Sequence, residues 1–247
     1  MTKVIMHGCN GKMGQVITGL IAQDEDVKIV AGIDTYDEKK NDYPVYKTIR
    51  ECQIAADVVI DFSNAAAVDE LLDWCAEKKM PVVLCTTGLS EVQLAKVEET
   101  AEKTAVLRSA NMSLGINMLL KLLKEAAQIL APAGFDIEIL EKHHNQKVDA
   151  PSGTAITIAE GILENLSRKQ RWVCGVTTVP EELEVTAVRR SIVPGTHTVT
   201  YESAADQITL THRANGRRGF AMGAVLAAEF LCGKQGIYTM KDLLGLN

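Results

Sequence analysis

Two adjacent histidines, a lysine and a Ser-Gly-Thr turn lie within the stretch EKHHNQKVDAPSGTA, Glu141 to Ala155. Imidazole and ammonium groups are hydrogen-bond donors for an anion, and a histidine can transfer a proton near neutral pH. The Ser-Gly-Thr turn precedes an apolar helical pattern, where hydroxyls and backbone N–H groups bind phosphates or carboxylates. Clustered cationic donors are costly unless an anion neutralises them. The stretch therefore predicts an anion site made of His143, His144, Lys147, Ser152, Gly153 and Thr154.

Two other interpretations of this stretch are weaker. A serine nucleophile at Ser152 lacks the strand–elbow context and the G-x-S-x-G signature. A zinc site lacks a third ligand at a suitable spacing, so we predict no metal. The other histidines, His7, His197 and His212, are predicted to be satisfied structural residues.

A second candidate site is the loop Gly8-Cys9-Asn10-Gly11-Lys12-Met13-Gly14, which follows a strand-like run and opens a helical pattern. In that context Gly8 permits a tight turn, Gly11 lets the backbone approach a pyrophosphate, and Gly14 lets the helix pack close to the sheet. The phosphates would lie at the helix N-terminus. The spacing is G-x-x-G-x-x-G instead of the commoner G-x-G-x-x-G. Taken alone, this loop is therefore also compatible with a plain glycine-rich turn in a protein that binds no cofactor.

An acidic residue follows the second predicted strand, where a ribose hydroxyl would need an acceptor. Asp34 lies twenty residues beyond Gly14, the position from which such a side chain binds the ribose of a dinucleotide. The next residue is Thr35, so no basic group stands beside Asp34 to hold a 2′-phosphate. This charge pattern favours NAD over NADP, although Lys39 and Lys40 could fold back. Two later turns are candidates to face the nicotinamide: Cys85-Thr86-Thr87-Gly88 and Ser109-Ala110-Asn111-Met112.

The elements that must position these residues alternate between strands and helices in the first half of the chain. Strands are predicted over Lys3–His7, Lys28–Ile33, Val58–Phe62, Val82–Thr86 and Ala105–Ser109. Helices are predicted over Lys12–Gln23, Ala65–Lys79, Glu91–Lys103 and Gly115–Leu130. Such alternation indicates βαβ crossovers and a parallel sheet covered on both faces.

Beyond Pro132 strand signals dominate. A strand over Phe135–Glu141 and a helix over Thr154–Leu166 precede strands over Trp172–Thr178, Glu184–Ser191, Thr196–Ser203 and Gln207–Arg213. Val193-Pro194-Gly195 and Ala204-Ala205-Asp206 are predicted to be hairpin turns, and helices over Gly219–Leu231 and Met240–Leu244 follow. The fold class predicted is α/β, a Rossmann-type parallel sheet domain with an inserted α+β domain carrying a mixed, largely antiparallel sheet. Residues 1–112 with 218–247 would bind the dinucleotide, and residues 113–217 the substrate.

The composition narrows the classes of partner. A formal net charge of -6 argues against broad nucleic-acid binding, which needs a basic surface. Six scattered cysteines without a C-x-x-C pattern are typical of a reduced cytosolic protein. The N-terminus enters a strand-like run at once, unlike a signal peptide, and no apolar run reaches the roughly eighteen residues of a membrane span. We therefore expect a cytoplasmic protein with no nucleic-acid or membrane partner.

These motifs resemble those of the dihydrodipicolinate reductase family, also named 4-hydroxy-tetrahydrodipicolinate reductase, of the diaminopimelate and lysine pathway. The family signature E-x-H-H-x-x-K-x-D-A-P-S-G-T-A matches Glu141–Ala155 almost letter for letter. The similarity extends to the glycine-rich loop and to T-T-G, A-N-M-S-x-G, V-P-G-T and F-A-x-G-A, found at Thr86–Gly88, Ala110–Gly115, Val193–Thr196 and Phe220–Ala224. It therefore covers effectively the whole chain.

The resemblance implies specific roles for these residues. It makes His143 the proton donor or acceptor, Lys147 its catalytic partner, and His144 with the Ser152–Thr154 turn the cradle for two substrate carboxylates. It implies cofactor contacts at Gly8, Cys9, Asn10, Gly11, Lys12, Met13, Asp34, Cys85, Thr86, Thr87, Ser109, Ala110, Asn111 and Met112. It also implies NADH, NADPH or both as cofactor, and a homotetramer formed through the second domain. Cys85 departs from the family's frequent glycine, and Thr35 from the arginine that favours NADPH in some members.

The reaction so implied is hydride transfer from a reduced nicotinamide to a cyclic imine carrying two carboxylates. His143, or a water that it orients, would supply the accompanying proton. Two alternatives stay open on the sequence. One is another two-domain amino-acid dehydrogenase, acting on diaminopimelate or aspartate. The other is a regulator that binds NAD(H) without turnover and could dispense with Lys147.

Overall fold

The computed structural model describes residues 1–36, 38–166 and 168–246. These residues form two compact units, one made of Met1–Leu114 and the chain from Arg217 onward, the other of Gly115–Gly216. No helix in the described ranges is long and apolar enough to cross a membrane. The dinucleotide-binding and substrate-binding roles of the two domains stay predictions.

The strands, in chain order, are β1 Thr2–His7, β2 Val27–Ile33, β3 Val45–Tyr46, β4 Val58–Asp61, β5 Val82–Leu84, β6 Ala105–Arg108, β7 Asp136–His143, β8 Arg171–Cys174, β9 Glu182–Arg189, β10 Thr196–Glu202, β11 Gln207–Arg213 and β12 Gly236–Tyr238. The α-helices are α1 Lys12–Ile21, α2 Ala65–Lys78, α3 Glu91–Ala101, α4 Leu114–Leu130, α5 Gly153–Leu163, α6 Arg218–Leu231 and α7 Met240–Leu244. A short 3-10 helix covers Ile49–Glu51.

The first unit contains a seven-stranded parallel sheet in the order β12-β6-β5-β4-β1-β2-β3. Its inner strand β1 is buried on both faces, with Val4 and Met6 in one hydrophobic cluster and Ile5 in the other. Helices α1 and α6 cover the first face and α2 and α3 the second. Such burial explains the continuous apolar runs of these strands.

The order of the strands reverses at β1, because β2 and β3 lie on one side of it and β4, β5 and β6 on the other. In an open parallel sheet a ligand binds at the carboxyl ends of the strands beside such a switch point. The glycine-rich loop follows β1, and Asp61 ends β4. The topology therefore brings the loop to the edge of the sheet that suits a dinucleotide.

Helix α6 packs closely because its buried face consists of small residues. A Cβ atom added at Gly223 would lie 1.8 Å from the backbone oxygen of Met112. Ala221, Ala224 and Ala228 on the same helix are fully buried. The motif F-A-x-G-A is thus explained by the close approach of α6 to the chain that follows β6.

The second unit contains a five-stranded mixed sheet in the order β11-β10-β7-β9-β8. Strand β7 alternates exposed and buried residues, and Ile137 and Ile139 pack against α4 and α5. The buried hydroxyl of Tyr201 on β10 donates a hydrogen bond of 2.8 Å to the backbone oxygen of Leu123 on α4. One face of the sheet is therefore covered by the two helices.

The predicted α/β class is confirmed, but one predicted turn is wrong. Val193-Pro194-Gly195 does not close a hairpin, because β7 lies between β9 and β10, parallel to β9 and antiparallel to β10. The sheet is therefore mixed as predicted but less antiparallel than expected. The turn at Ala204-Ala205-Asp206 is confirmed by the antiparallel pair β10–β11. Strand β8 is shorter than predicted because Gly175 takes a φ of 107°, and the short strands β3 and β12 were not predicted.

Candidate active site

The glycine-rich loop has the steric properties of a phosphate-binding turn. Gly8 takes a φ of 80°, and a Cβ atom there would lie 2.6 Å from the oxygen of Phe62. A Cβ atom at Gly14 would lie 2.2 Å from the oxygen of Gly8, so Gly14 is needed for packing against the loop itself more than against the sheet. Helix α1 begins after Gly11 without a side-chain cap or a first-turn acid among the described residues. Its N-terminus is therefore suited to an anion.

Asp34 lies at the end of β2 and is held by this loop. Its Oδ2 accepts a hydrogen bond of 2.9 Å from the backbone N–H of Asn10, and its Oδ1 accepts one of 3.0 Å from the N–H of Tyr36. The Asn10 side chain donates to the oxygen of Tyr36 and accepts from Asn41. A carboxylate offers about four acceptor positions, so Asp34 can still accept from a ribose hydroxyl. The Asn10 side chain, by contrast, is used inside the protein.

A buried carboxylate, Asp61, joins the carboxyl ends of β1, β4 and β5. His7 Nδ1 lies 2.7 Å from its Oδ1, and Ser63 Oγ donates to the same oxygen at 2.6 Å. Thr86 Oγ1 donates to Oδ2 at 2.6 Å. The network fixes Thr86, a predicted cofactor contact, and shows His7 partnered as predicted. Asp61 and Ser63 were not predicted, although a carboxylate that ends the apolar run VVID was a usable signal.

The remaining residues of the predicted cofactor site lie on short turns. Ser109 Oγ donates to the oxygen of Asn111, whose side chain accepts from the N–H of Ser113.

Burial, reinforced by the charge of Asp34, raises the pKa of the Cys9 thiol to about 11. Burial also raises the pKa of Cys85 well above its usual range. Both thiols are therefore protonated at neutral pH and are unsuited to nucleophilic chemistry.

In the second unit, β7 directs Glu141 and His143 to the same buried face. Glu141 is 0% exposed, and its Oε1 accepts hydrogen bonds from Arg189 Nη2 at 2.9 Å and from the backbone N–H of Ser152 at 3.0 Å. Its Oε2 lies 3.1 Å from His143 Nδ1 and 3.7 Å from His197 Nε2. We call these five residues the Glu141 cluster: Glu141, His143, Ser152, Arg189 and His197.

Electrostatics fixes the charge of two members of the cluster. Burial opposes ionisation of Glu141, but its contacts with His143, Ser152 and Arg189 outweigh burial and lower the pKa of the carboxyl to about 2. Burial, together with the charge of His143, lowers the pKa of His197 to about 4. At neutral pH the cluster therefore contains an ionised Glu141 paired with Arg189, and a neutral His197.

The loop between β7 and α5 carries the predicted lysine. Lys147 Nζ lies 2.8 Å from Asp149 Oδ1, and this contact lowers the pKa of the Asp149 carboxyl. Arg189 donates from Nε to the oxygen of Lys147 at 3.3 Å and from Nη2 to the oxygen of Asp149. Arg189 therefore holds both the buried carboxylate of Glu141 and the loop that presents Lys147.

Helix α5 begins at Gly153 with Ser152 as its N-cap. The Ser152 hydroxyl accepts from the N–H of Ala155 at 3.2 Å and lies 3.3 Å from His197 Nε2. Ser152, predicted to contact the substrate, thus uses its hydroxyl and its N–H within the protein. Gly153 is exposed, and Thr154 and His144 are half-buried, so these residues stay the predicted lining of the cradle.

The cluster also brings together three potential metal ligands. One donor atom each from Glu141, His143 and His197 lies within 4.8 Å of the other two. The sequence offers no third ligand at a suitable spacing, but β10 pairs with β7 and places His197 opposite Glu141. Arg189 already neutralises this carboxylate, and we keep the prediction that the site works without a metal.

Comparison with known proteins identifies the family. Two family models together match nearly the whole chain, dihydrodipicolinate reductase N-terminus over residues 2–112 and dihydrodipicolinate reductase C-terminus over residues 115–244. The chain belongs to the dihydrodipicolinate reductase family. The resemblance seen in the sequence is thereby confirmed, and the family pairs a nucleotide-binding domain with a second domain.

Two relatives and one solved structure show how close this similarity is. The 4-hydroxy-tetrahydrodipicolinate reductase of Caldanaerobacter subterraneus subsp. tengcongensis is 47% identical over 99% of this chain and 98% of its own length. The 4-hydroxy-tetrahydrodipicolinate reductase of Clostridium novyi is 43% identical over 99% of this chain and 98% of its own length. The dipicolinate-bound dihydrodipicolinate reductase from Paenisporosarcina sp. TG-14 has a TM-score of 0.83 at 25% identity and covers 97% of both chains.

One of the alternative enzymes has a much weaker structural similarity. A diaminopimelate dehydrogenase of C. glutamicum, solved in complex with diaminopimelate, has a TM-score of 0.54 at 13% identity. This similarity concerns the fold alone. The family match thus separates this chain from the amino-acid dehydrogenases that share its architecture.

Proposed function

We propose that this protein catalyses the NAD(P)H-dependent reduction of 4-hydroxy-tetrahydrodipicolinate, or dihydrodipicolinate, to tetrahydrodipicolinate in diaminopimelate and lysine biosynthesis. One observation carries the proposal. In a chain of this family, the segment from His143 to Thr154 combines an imidazole next to a buried carboxylate, a lysine and the start of a helix. The related reductase from Paenisporosarcina, with the same fold, was solved with a dicarboxylate, dipicolinate.

The substrate carries two carboxylates, and the segment offers two kinds of anion partner. Lys147 supplies a positive charge, and the start of α5 at Gly153 and Thr154 supplies backbone N–H groups with the positive end of the helix dipole. Asp149 now contacts Lys147, so a substrate carboxylate would have to replace or share this contact. His144 would contribute a further donor. Ser152 would act indirectly, by capping the helix and fixing Glu141.

The first unit fits a dinucleotide by its backbone. Gly8 and Gly14 leave no room for a side chain, and the N-terminus of α1 has no cap among the described residues. In this proposal Gly11, Lys12 and Met13 hold the pyrophosphate, Asp34 accepts from the ribose, and the turns at Cys85–Thr87 and Ser109–Met112 line the nicotinamide site. When bound, the reduced nicotinamide supplies the hydride.

His143 is proposed to supply the proton, with Lys147 as its partner and as a substrate ligand. Because Thr35 brings no positive charge next to Asp34, we propose that NADH binds at least as well as NADPH. Titration of both cofactors against the same protein sample tests this preference. A much tighter complex with NADPH would contradict it.

The proposal includes the assembly and its location. We propose a homotetramer formed through the second unit, as the family resemblance implies, and a cytoplasmic location, which the scattered cysteines favour. Sedimentation equilibrium should then give a mass four times that of the 26.8 kDa chain. A monomeric mass would contradict this part of the proposal without affecting the proposed chemistry.

One assay separates the proposed enzyme from its alternatives. The product of dihydrodipicolinate synthase is mixed with NADH or NADPH and the purified protein, and cofactor oxidation is followed by absorbance. Oxidation that depends on both the synthase product and the protein supports the reductase. Reduction of the oxidised cofactor in the presence of diaminopimelate would indicate a dehydrogenase. NADH binding without turnover would indicate a regulator.

A further inference from the structure

The buried carboxylate of Glu141 has one oxygen without a hydrogen bond of good geometry among the described residues. That oxygen is Oε2, and His143 Nδ1 is likewise unsatisfied. The two atoms are 3.1 Å apart, within hydrogen-bonding distance. A buried unsatisfied carboxylate oxygen is costly. A small rotation of the imidazole that aligns an Nδ1–H with Oε2 satisfies both atoms at once.

The other oxygen of Glu141 cannot take over this contact. Arg189 and the backbone N–H of Ser152 both donate to Oε1, and neither group can accept a hydrogen bond in return. His197 Nε2 is farther from Oε2, at 3.7 Å, and lies 3.3 Å from the Ser152 hydroxyl. His143 is therefore the nearest donor for Oε2.

The opposite ring nitrogen of His143 faces Gly195. A Cβ atom added at Gly195 would lie 3.0 Å from His143 Nε2, so a side chain at this position would crowd that nitrogen. His143 is 7% exposed, and Gly195 belongs to the V-P-G-T motif, for which the sequence predicts a turn but no chemical role. The imidazole therefore presents one nitrogen to a carboxylate and the other to a residue that has no side chain.

We propose that Glu141 is a positioning residue that holds His143 with its Nδ1–H directed at Oε2, so that Nε2 is the atom that exchanges the proton. The inference rests on the proposed function. In the proton step, the Nε2–H bond breaks and its electron pair stays on nitrogen. A C–H bond forms at the substrate carbon that became electron-rich when the hydride arrived. The histidine then returns to neutral and regains a proton from solvent.

Glu141→Gln tests this assignment because the amide must adopt one orientation. Its oxygen has to face Arg189 and the N–H of Ser152, so its NH2 group has to face His143 Nδ1. The imidazole must then accept at Nδ1 and carry its proton at Nε2, the opposite tautomer. A misplaced proton of this kind, or the loss of general acid catalysis, costs about 10²- to 10⁴-fold in turnover. We expect kcat to fall by at least about 10²-fold while dipicolinate affinity stays at the wild-type value.

Glu138→Gln is the matched control. It makes the same chemical change on the same strand, at an exposed position on the opposite face of the sheet, and should leave kcat unchanged. A purely structural role of Glu141 would instead lower the melting temperature and the dipicolinate affinity together with kcat. Wild-type turnover in Glu141→Gln would overturn the inference.

Nitrogen-15 NMR of histidine-labelled protein provides a readout that does not depend on activity. With neutral His143, the wild-type protein should show the proton on Nδ1, and the Glu141→Gln variant should show it on Nε2. A wild-type proton on Nε2 overturns the inference even if the variant does not fold. Conversely, an inactive wild-type protein with the expected tautomer would contradict the proposed function and leave the positioning of His143 intact.

Discussion

Acidification should destabilise the second unit through His197, which is 4% exposed. Burial lowers its pKa from 6.5 to about 4. As the pH falls through this window, the unfolded chain takes up a proton that the folded protein does not bind, so stability decreases. Well above pH 6.5 both states are neutral at this residue and no stability is lost. With 1.36 kcal/mol per pKa unit, this histidine should account for a loss of about 2 kcal/mol between pH 7 and pH 5.

The measurement compares wild type with His197→Asn by urea unfolding at pH 7 and pH 5, at one protein concentration. The variant loses packing at both pH values, so this loss cancels when the two free energies of unfolding are subtracted. We expect the wild type to lose about 2 kcal/mol more than the variant over this interval. Glu141 contributes only about 0.2 kcal/mol to this loss, because its pKa is lowered from 4.5 to about 2 and pH 5 still lies above both values.

His212→Asn provides a graded control. His212 pairs with His197 across β10 and β11, but it is only half-buried, and burial lowers its pKa without a large shift. This variant should therefore remove a smaller part of the pH dependence. Equal losses of stability in wild type and His197→Asn would refute the conclusion that His197 is held neutral by burial.

Three further substitutions test separate parts of the account. Asp61→Asn should weaken NADH binding about 10-fold, because the amide cannot accept hydrogen bonds from all the donors that surround Asp61. The control Asp57→Asn, at the other end of β4, should leave NADH binding unchanged. Calorimetry measures both affinities. Lys147→Met should weaken dipicolinate binding by about 10- to 100-fold, the range for a hydrogen bond to a charged group, whereas Lys121→Met on the surface of α4 should bind as wild type does. Tyr201→Phe should lower the free energy of unfolding by about 1 kcal/mol, since a buried hydrogen bond to α4 is lost; an unchanged urea midpoint would contradict that contact.

The parts of the fold that sequence reasoning could reach are those set by local pattern. Alternating strands and helices predicted the parallel sheet, because each βαβ unit is formed by one continuous stretch of the chain. The turn at Val193–Gly195 was mistaken for a hairpin because β7, the strand that separates β9 from β10, lies some fifty residues earlier in the chain. Short strands such as β3 and β12 depend on the neighbours that they pair with, and their own residues carry little signal.

In the candidate site, too, the sequence predicts what is local and misses what distant strand pairing brings together. The segment from His143 to Thr154 could be predicted because its donors are consecutive in the sequence. Arg189 and His197 could not, because strand pairing places Arg189 opposite His143 and His197 opposite Glu141. His197 was assigned a structural role, whereas the structure places it inside the cluster around the proposed proton donor.

A crystal structure with dipicolinate tests the central claim most directly. The account predicts one carboxylate of the ligand on Lys147 and the backbone N–H groups at the start of α5, with His143 Nε2 facing the ring. Dipicolinate bound elsewhere, with Lys147 still paired to Asp149, would contradict it.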